Sequence, residues 1–137
     1  VAKWAEDIGI LSKPGALSWA LVLQNISFDK LPLFPLTGTA AVAWGSDASW
    51  HLAFDYKVDL SDTSNLKQTG ALGAELLVDD GIVLRGGLRR DFTADIWWAS
   101  AGVAFLTSGG GLQLAWRRRL SGNFDQIFEG GITLFLE

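Results

Sequence analysis

Asp55, Lys57 and Asp59 occupy every second position of one short stretch, and Arg85 with Arg89 and Arg117 with Arg119 keep the same even spacing. Alternate residues of a strand share a face, so each of these sets projects to one side of its strand. With Glu75, Asp91 and Glu129 they make five acids against five bases. Charges in a narrow, poorly hydrated interior persist when they are paired. A balanced set therefore predicts a charge-paired lumen rather than an ion-selective pore; the competing reading is a constriction that selects solutes. His51, the only imidazole, has the parity of Asp55. Ser49 or Ser100 would complete a Ser-His-Asp set, but neither serine stands in a nucleophile motif. The expectation is no catalysis. The absence of Cys and the single His exclude a thiol metal site and the usual zinc site, and no cofactor is expected.

The elements that must carry these residues are strands. From Trp50 to Leu60 every even position is large and apolar, while the odd ones are His, Ala, Asp, Lys and Asp. That alternation marks a strand with one greasy face and one polar face. It recurs in Leu17, Trp19, Leu21 and Leu23, in Ala40, Val42 and Trp44, and in Leu112, Leu114 and Trp116. Gly, Pro, Asp, Asn and Ser interrupt the chain about every ten residues, the spacing of an all-β protein. Strands are predicted near 16–26, 36–45, 49–60, 68–79, 82–91, 95–107, 111–120 and 125–136. In the sixth, the adjacent Trp97 and Trp98 must point opposite ways, which leaves its facing open. Residues 1–12 admit two readings. A helix would align Trp4, Ile8 and Leu11 as an N-terminal cap; a ninth strand would turn back through Lys13-Pro14-Gly15.

Beside its charges the polar face carries mostly Ala, Gly, Ser and Thr, which suits a crowded interior. The opposite face is rich in Leu, Trp, Phe and Val, and would overfill a small soluble barrel. The arrangement reads as inside-out, with lipid against the greasy face. Hydrophobic residues are 49% of the chain, yet no apolar run approaches the roughly 20 residues of a membrane helix; the runs fit the roughly 9–11 residues of a tilted membrane strand. Trp19, Trp44, Trp50, Trp97 and Trp116 lie toward strand ends, as a girdle at the membrane–water boundary requires. Long connectors alternate with short turns, as external loops and periplasmic turns do in outer-membrane barrels. Arg90 and Arg118 fall on the greasy face, where mid-membrane Arg costs roughly 2–4 kcal/mol, so both are placed near lipopolysaccharide or another anionic headgroup. Leu31-Pro32-Leu33-Phe34-Pro35 reads as an apolar external loop, and Gly109-Gly110-Gly111 as a turn, not a phosphate loop. The net charge of −4 and the lack of a basic stripe argue against nucleic acid. With no Met and no basic-then-apolar leader, the chain reads as a mature protein, a fragment or a design.

Asp7-Ile8-Gly9-Ile10-Leu11, Pro14-Gly15 and Leu17 to Ile26 resemble a hairpin of bacterial outer-membrane proteins of the PorV and FadL type. Gly73-Ala74-Glu75-Leu76, Leu84 to Arg89 and Gly110 to Leu114 are similar to the strands that follow it. Glu129, Gly131, Leu134 and Leu136 resemble the C-terminal signal read by the barrel-insertion machinery, with Phe135 one place early. The resemblance implies the C-terminal strands of such a barrel. Family barrels have about fourteen strands and a plug, too many for this length, so the transport function does not carry over residue by residue. The expectation is an all-β, antiparallel up-and-down transmembrane barrel of about eight strands in one domain, in the bacterial outer membrane. Its role would be structural, or passive passage of small solutes or hydrophobic compounds. Its partners would be lipid, lipopolysaccharide or detergent. The alternatives are a soluble β-barrel that binds an apolar ligand, or a designed barrel with no native function.

Overall fold

A computed structural model describes residues 5–26, 35–46, 49–79, 81–122 and 125–134. The chain is all-β. Nine strands follow in order: β1 (Glu6–Ser12), β2 (Leu17–Ile26), β3 (Thr37–Ser46), β4 (Trp50–Asp59), β5 (Lys67–Asp79), β6 (Ile82–Asp91), β7 (Ile96–Thr107), β8 (Gly110–Arg119) and β9 (Gln126–Leu134). Each pairs antiparallel with its neighbour in sequence, giving one up-and-down sheet. Residues 6–12 are a strand, so the helical cap is overturned and the count is nine. Ile8 and Ile10 meet Leu23 and Leu21 across the hairpin, contacts that a helix could not make in this register. Gly15, at φ 68°, closes the turn after Pro14. A register shift between Glu6 and Ile8 bulges β1, and the backbone N–H of Asn25 donates to Asp7 Oδ1 there at 2.8 Å.

The sheet is not closed into a barrel. Among the described residues, β1 pairs only with β2 and β9 only with β8. Its two faces divide as the alternation predicts, because paired residues project to the same side. One continuous row across eight strands is Leu17, Trp44, Leu52, Ala74, Gly86, Ala101, Trp116 and Phe128. The neighbouring row on the other face is Gly45, His51, Glu75, Arg85, Gly102, Ala115 and Glu129. The pairing also assigns the two adjacent tryptophans. Trp97 lies opposite Arg90 on the apolar face, and Trp98 lies opposite Arg89 on the polar face.

The interior of this fold is thin. Among the described residues the only buried hydrophobic side chains are Val83 and Ala104, and both lie on the polar face. The large apolar side chains stand exposed on the other. The strand ends Ile26, Thr37, Asp59, Lys67, Asp91, Ile96, Arg119 and Gln126, which flank the longer connectors, share one end of the sheet, and Ser12, Leu17, Ser46, Trp50, Asp79, Ile82, Thr107 and Gly110, which flank the shorter ones, share the other. Most of the Leu31 to Pro35 loop, and Phe135 to Glu137 of the C-terminal pattern, lie outside the described residues.

Candidate functional site

The polar face holds a cavity of about 560 Å³ lined from β4, β5, β6, β7 and β8. Five adjacent strands lining one cavity make the polar face the concave one over β4 to β8. Its floor is small: Ala53, Ala71, Gly73, Gly87, Gly102 and Ala115. Gly87 fits closely there: a Cβ would stand 3.0 Å from Ser100 Oγ and 3.2 Å from the Leu72 carbonyl oxygen, so its neighbours would have to give by a few tenths of an ångström.

All nine residues expected to form a lumen charge network share this face: Asp55, Lys57, Asp59, Glu75, Arg85, Arg89, Arg117, Arg119 and Glu129. The structure brings two of them into an ion pair. Arg85 Nε donates to Glu75 Oε2 at 2.7 Å, and the two stand opposite each other on β6 and β5. The rest are segregated. Asp55 and Asp59 lie on β4, Arg89 on β6, and Arg117 and Arg119 on β8. The acids at the long-loop end are turned to their own loops. Asp59 Oδ1 accepts the Ser61 N–H at 2.9 Å, and Asp91 Oδ1 accepts those of Thr93 and Ala94, each at 2.9 Å. Among the described residues Arg89, Arg117 and Arg119 make no ion pair within 4 Å. Arg117 instead lies over Trp98, with its guanidinium carbon 5.3 Å from the ring centroid. Arg119 packs under the β8–β9 turn, its Nη2 3.3 Å from where a Cβ on Gly122 would stand, and its buried Nε has no hydrogen-bond partner.

His51 sits beside Glu75, not beside Asp55. Four residues along one strand put His51 and Asp55 about 13 Å apart. Ser100 is three strands from β4, and its hydroxyl donates to the Gly87 carbonyl at 3.4 Å. The arrangement assembles no nucleophile, base and orienting acid within hydrogen-bond reach of one another. No group of three potential metal ligands occurs among the described residues.

On the apolar face, Trp19, Trp44 and Trp50 lie toward the short-turn end of their strands, and Trp97 and Trp116 toward the long-loop end of theirs. Trp44 and Trp50 meet edge to face at 5.0 Å. At the long-loop end, Arg90 lies 5.0 Å from the ring centroids of both Phe92 and Trp97 and pairs with Asp95 at 2.9 Å. Phe92 in turn reaches Tyr56, whose hydroxyl donates to Gln68 Oε1 at 2.6 Å. Sequence reasoning placed Arg90 and Trp97 at this rim but not Phe92 or Tyr56. The signal was there: Phe92, Tyr56 and Trp97 all fall within a few residues of the long connectors. A second cavity, about 590 Å³, lies on this face over Gly38 and Ala40, between Ile8, Ile10, Leu21 and Leu23 on one side and Tyr56, Val58 and Leu60 on the other.

Neither a protein-family model, nor a curated protein, nor a solved structure matches this chain.

Proposed function

We propose that this chain forms the wall of an outer-membrane-type β-barrel, with lipid against the apolar face and a polar lumen on the concave one. Its role is structural, or passive passage of small solutes, without chemistry. One observation carries the reading: the large apolar side chains cover the outer face and stand exposed. Leu21 is 51% exposed, Trp44 55%, Leu72 51% and Ile132 77%. Water disfavours apolar surface by about 25 cal/mol per Å², and contiguous patches of this kind mark a membrane or partner surface. Tryptophans toward both ends of the strands, and the Arg90 cluster beside the long loops, support the same reading. The resemblance to PorV and FadL-type strands belongs to this proposal.

Lipid offers no hydrogen bonds to an open strand edge, so the edges of β1 and β9 must be paired in a bilayer. With nine alternating strands β1 and β9 run in the same direction. Pairing them directly makes one parallel seam; closing with antiparallel seams takes an odd number of further strands. The rival, a soluble barrel enclosing an apolar ligand, needs the apolar face inward; the cavity over Gly38 and Ala40 is the observation in its favour, and the five-strand cavity on the polar face speaks against it.

Folding into detergent micelles, followed by gel migration with and without boiling, tests the proposal. A folded form that needs detergent and migrates differently from the boiled form supports it. A monodisperse β protein in plain buffer overturns it.

A further inference from the structure

We infer that Arg89 and Arg117, flanking Trp98 on the concave face, form a binding site for a small oxyanion of the phosphate class.

The inference begins with what the arginines lack. A charge set that only held the face together would pair its members, and here one pair forms. Glu75 and Arg85 neutralise each other at 2.7 Å, and Asp91 is held by its loop N–H groups. Among the described residues Arg89 and Arg117 make no ion pair; of the two carboxylates that line the same cavity, Glu75 is taken by Arg85, and Asp55 makes no ion pair within 4 Å. Two guanidiniums against one remaining carboxylate leave an excess of positive charge, and the planar fork of each presents paired donors to oxyanion oxygens.

Register brings them together. Arg89 is paired with Trp98, and Arg117 with Ser100, two positions along on the same face of β7. Neighbouring strands lie about 4.8 Å apart, so the backbones of β6 and β8 are about 10 Å apart with β7 between them. Two extended arginine side chains reach across that gap to one small ion. Arg117 is already drawn over the Trp98 ring, which holds its guanidinium toward β7. Gly87 and Gly102 keep the floor beneath clear. Asp55 stands in the same register row as Arg89, two strands away across Ala71, and makes no ion pair with it. The site faces away from the apolar surface, so its ligand is a dissolved anion and not a lipid headgroup.

The inference deepens the proposed passage role by naming the class of solute, and rests on it for which face is wetted. Full-length chain folded in neutral detergent micelles is titrated with sodium phosphate at constant ionic strength, with chloride as the balancing salt. The readouts are calorimetry and ³¹P line broadening. Saturable phosphate binding is expected, weakened about tenfold or more by Arg117→Gln and by Arg89→Gln. Arg118→Gln makes the same change of charge on the same strand but on the opposite face, and should leave the affinity unchanged. Arg117→Lys and Arg89→Lys, which keep the charge but lose the fork, serve where a Gln variant does not fold, and should also weaken binding. Phosphate that binds no better than chloride overturns the inference, as does an equal loss in Arg118→Gln and Arg117→Gln. Heat-dependent gel migration, run in parallel, keeps the two ideas apart. Its loss overturns the barrel reading; its retention without phosphate binding overturns the anion site alone.

Discussion

Arg85 and Glu75 stand directly opposite each other on adjacent strands and form the one ion pair of the concave face among the described residues, with Nε 2.7 Å from Oε2. Both side chains are about half exposed, at 50% and 46%, so water screens the pair. A double-mutant cycle with Glu75→Gln and Arg85→Gln, followed by urea unfolding, should give a coupling of about 0.2–1 kcal/mol. A coupling of several kcal/mol would show that the concave face is shut off from water in the folded protein.

The face assignment can be read from one residue. Leu72 lies mid-strand on β5, between Phe54 and Leu88 on the apolar face, and is 51% exposed. Leu72→Arg should cost roughly 2–4 kcal/mol in a bilayer, measured by reversible unfolding from lipid vesicles. An unchanged stability there would mean that this face meets water.

Gly45 closes β3 in a backbone conformation, φ 152°, that side chains rarely adopt. A Cβ there would stand 2.3 Å from the Trp50 carbonyl oxygen and 2.8 Å from the His51 Cα, and backbone atoms of a paired strand have nowhere to go. Gly45→Ala should lower stability by about 1–3 kcal/mol or more. Gly109, with nothing within 4 Å of its Cβ position, is the matched control, and Gly109→Ala should be close to neutral by the same unfolding measurement.

The first strand has a chemical test that the absence of Cys makes clean. Leu11 and Ala20 are register partners across the β1–β2 hairpin. Directly opposed residues have Cα atoms about 4.5–5.5 Å apart, inside the range a disulfide spans. Leu11→Cys with Ala20→Cys should oxidise to an intramolecular bond in the folded state, seen as a mass loss of two hydrogens. Reduced thiols after mild oxidation would return residues 6–12 to a cap or helix.

Much of the fold is legible residue by residue. The period-two alternation from Trp50 to Asp59 declares a strand and its two faces, because side-chain direction is a local property of extended backbone. The same holds for Leu17 to Leu23 and for Leu112 to Trp116, and turn residues at Gly15, Gly45 and Gly122 mark where strands end. The aromatic girdle follows from parity and from distance to the nearest turn. Residues 6–12 were ambiguous because seven residues carry too few repeats to separate a strand from a helix, and only pairing with β2 decides between them.

The charged face shows where locality stops. Parity puts Asp55, Glu75, Arg85, Arg89, Arg117 and Glu129 on one side, and that much is written in the sequence. Which acid meets which base depends on the register between strands, a non-local quantity set by five successive pairings. Register gives Arg85 to Glu75, sets His51 beside Glu75, and leaves Arg89 and Arg117 to share Trp98. The sequence by itself determined eight of the nine strands and, except in the one that carries Trp97 and Trp98, which side of each is apolar. Only the tertiary structure decided the neighbours, because hydrogen-bonded ladders align residues far apart in the chain while alternation speaks only for residues two apart.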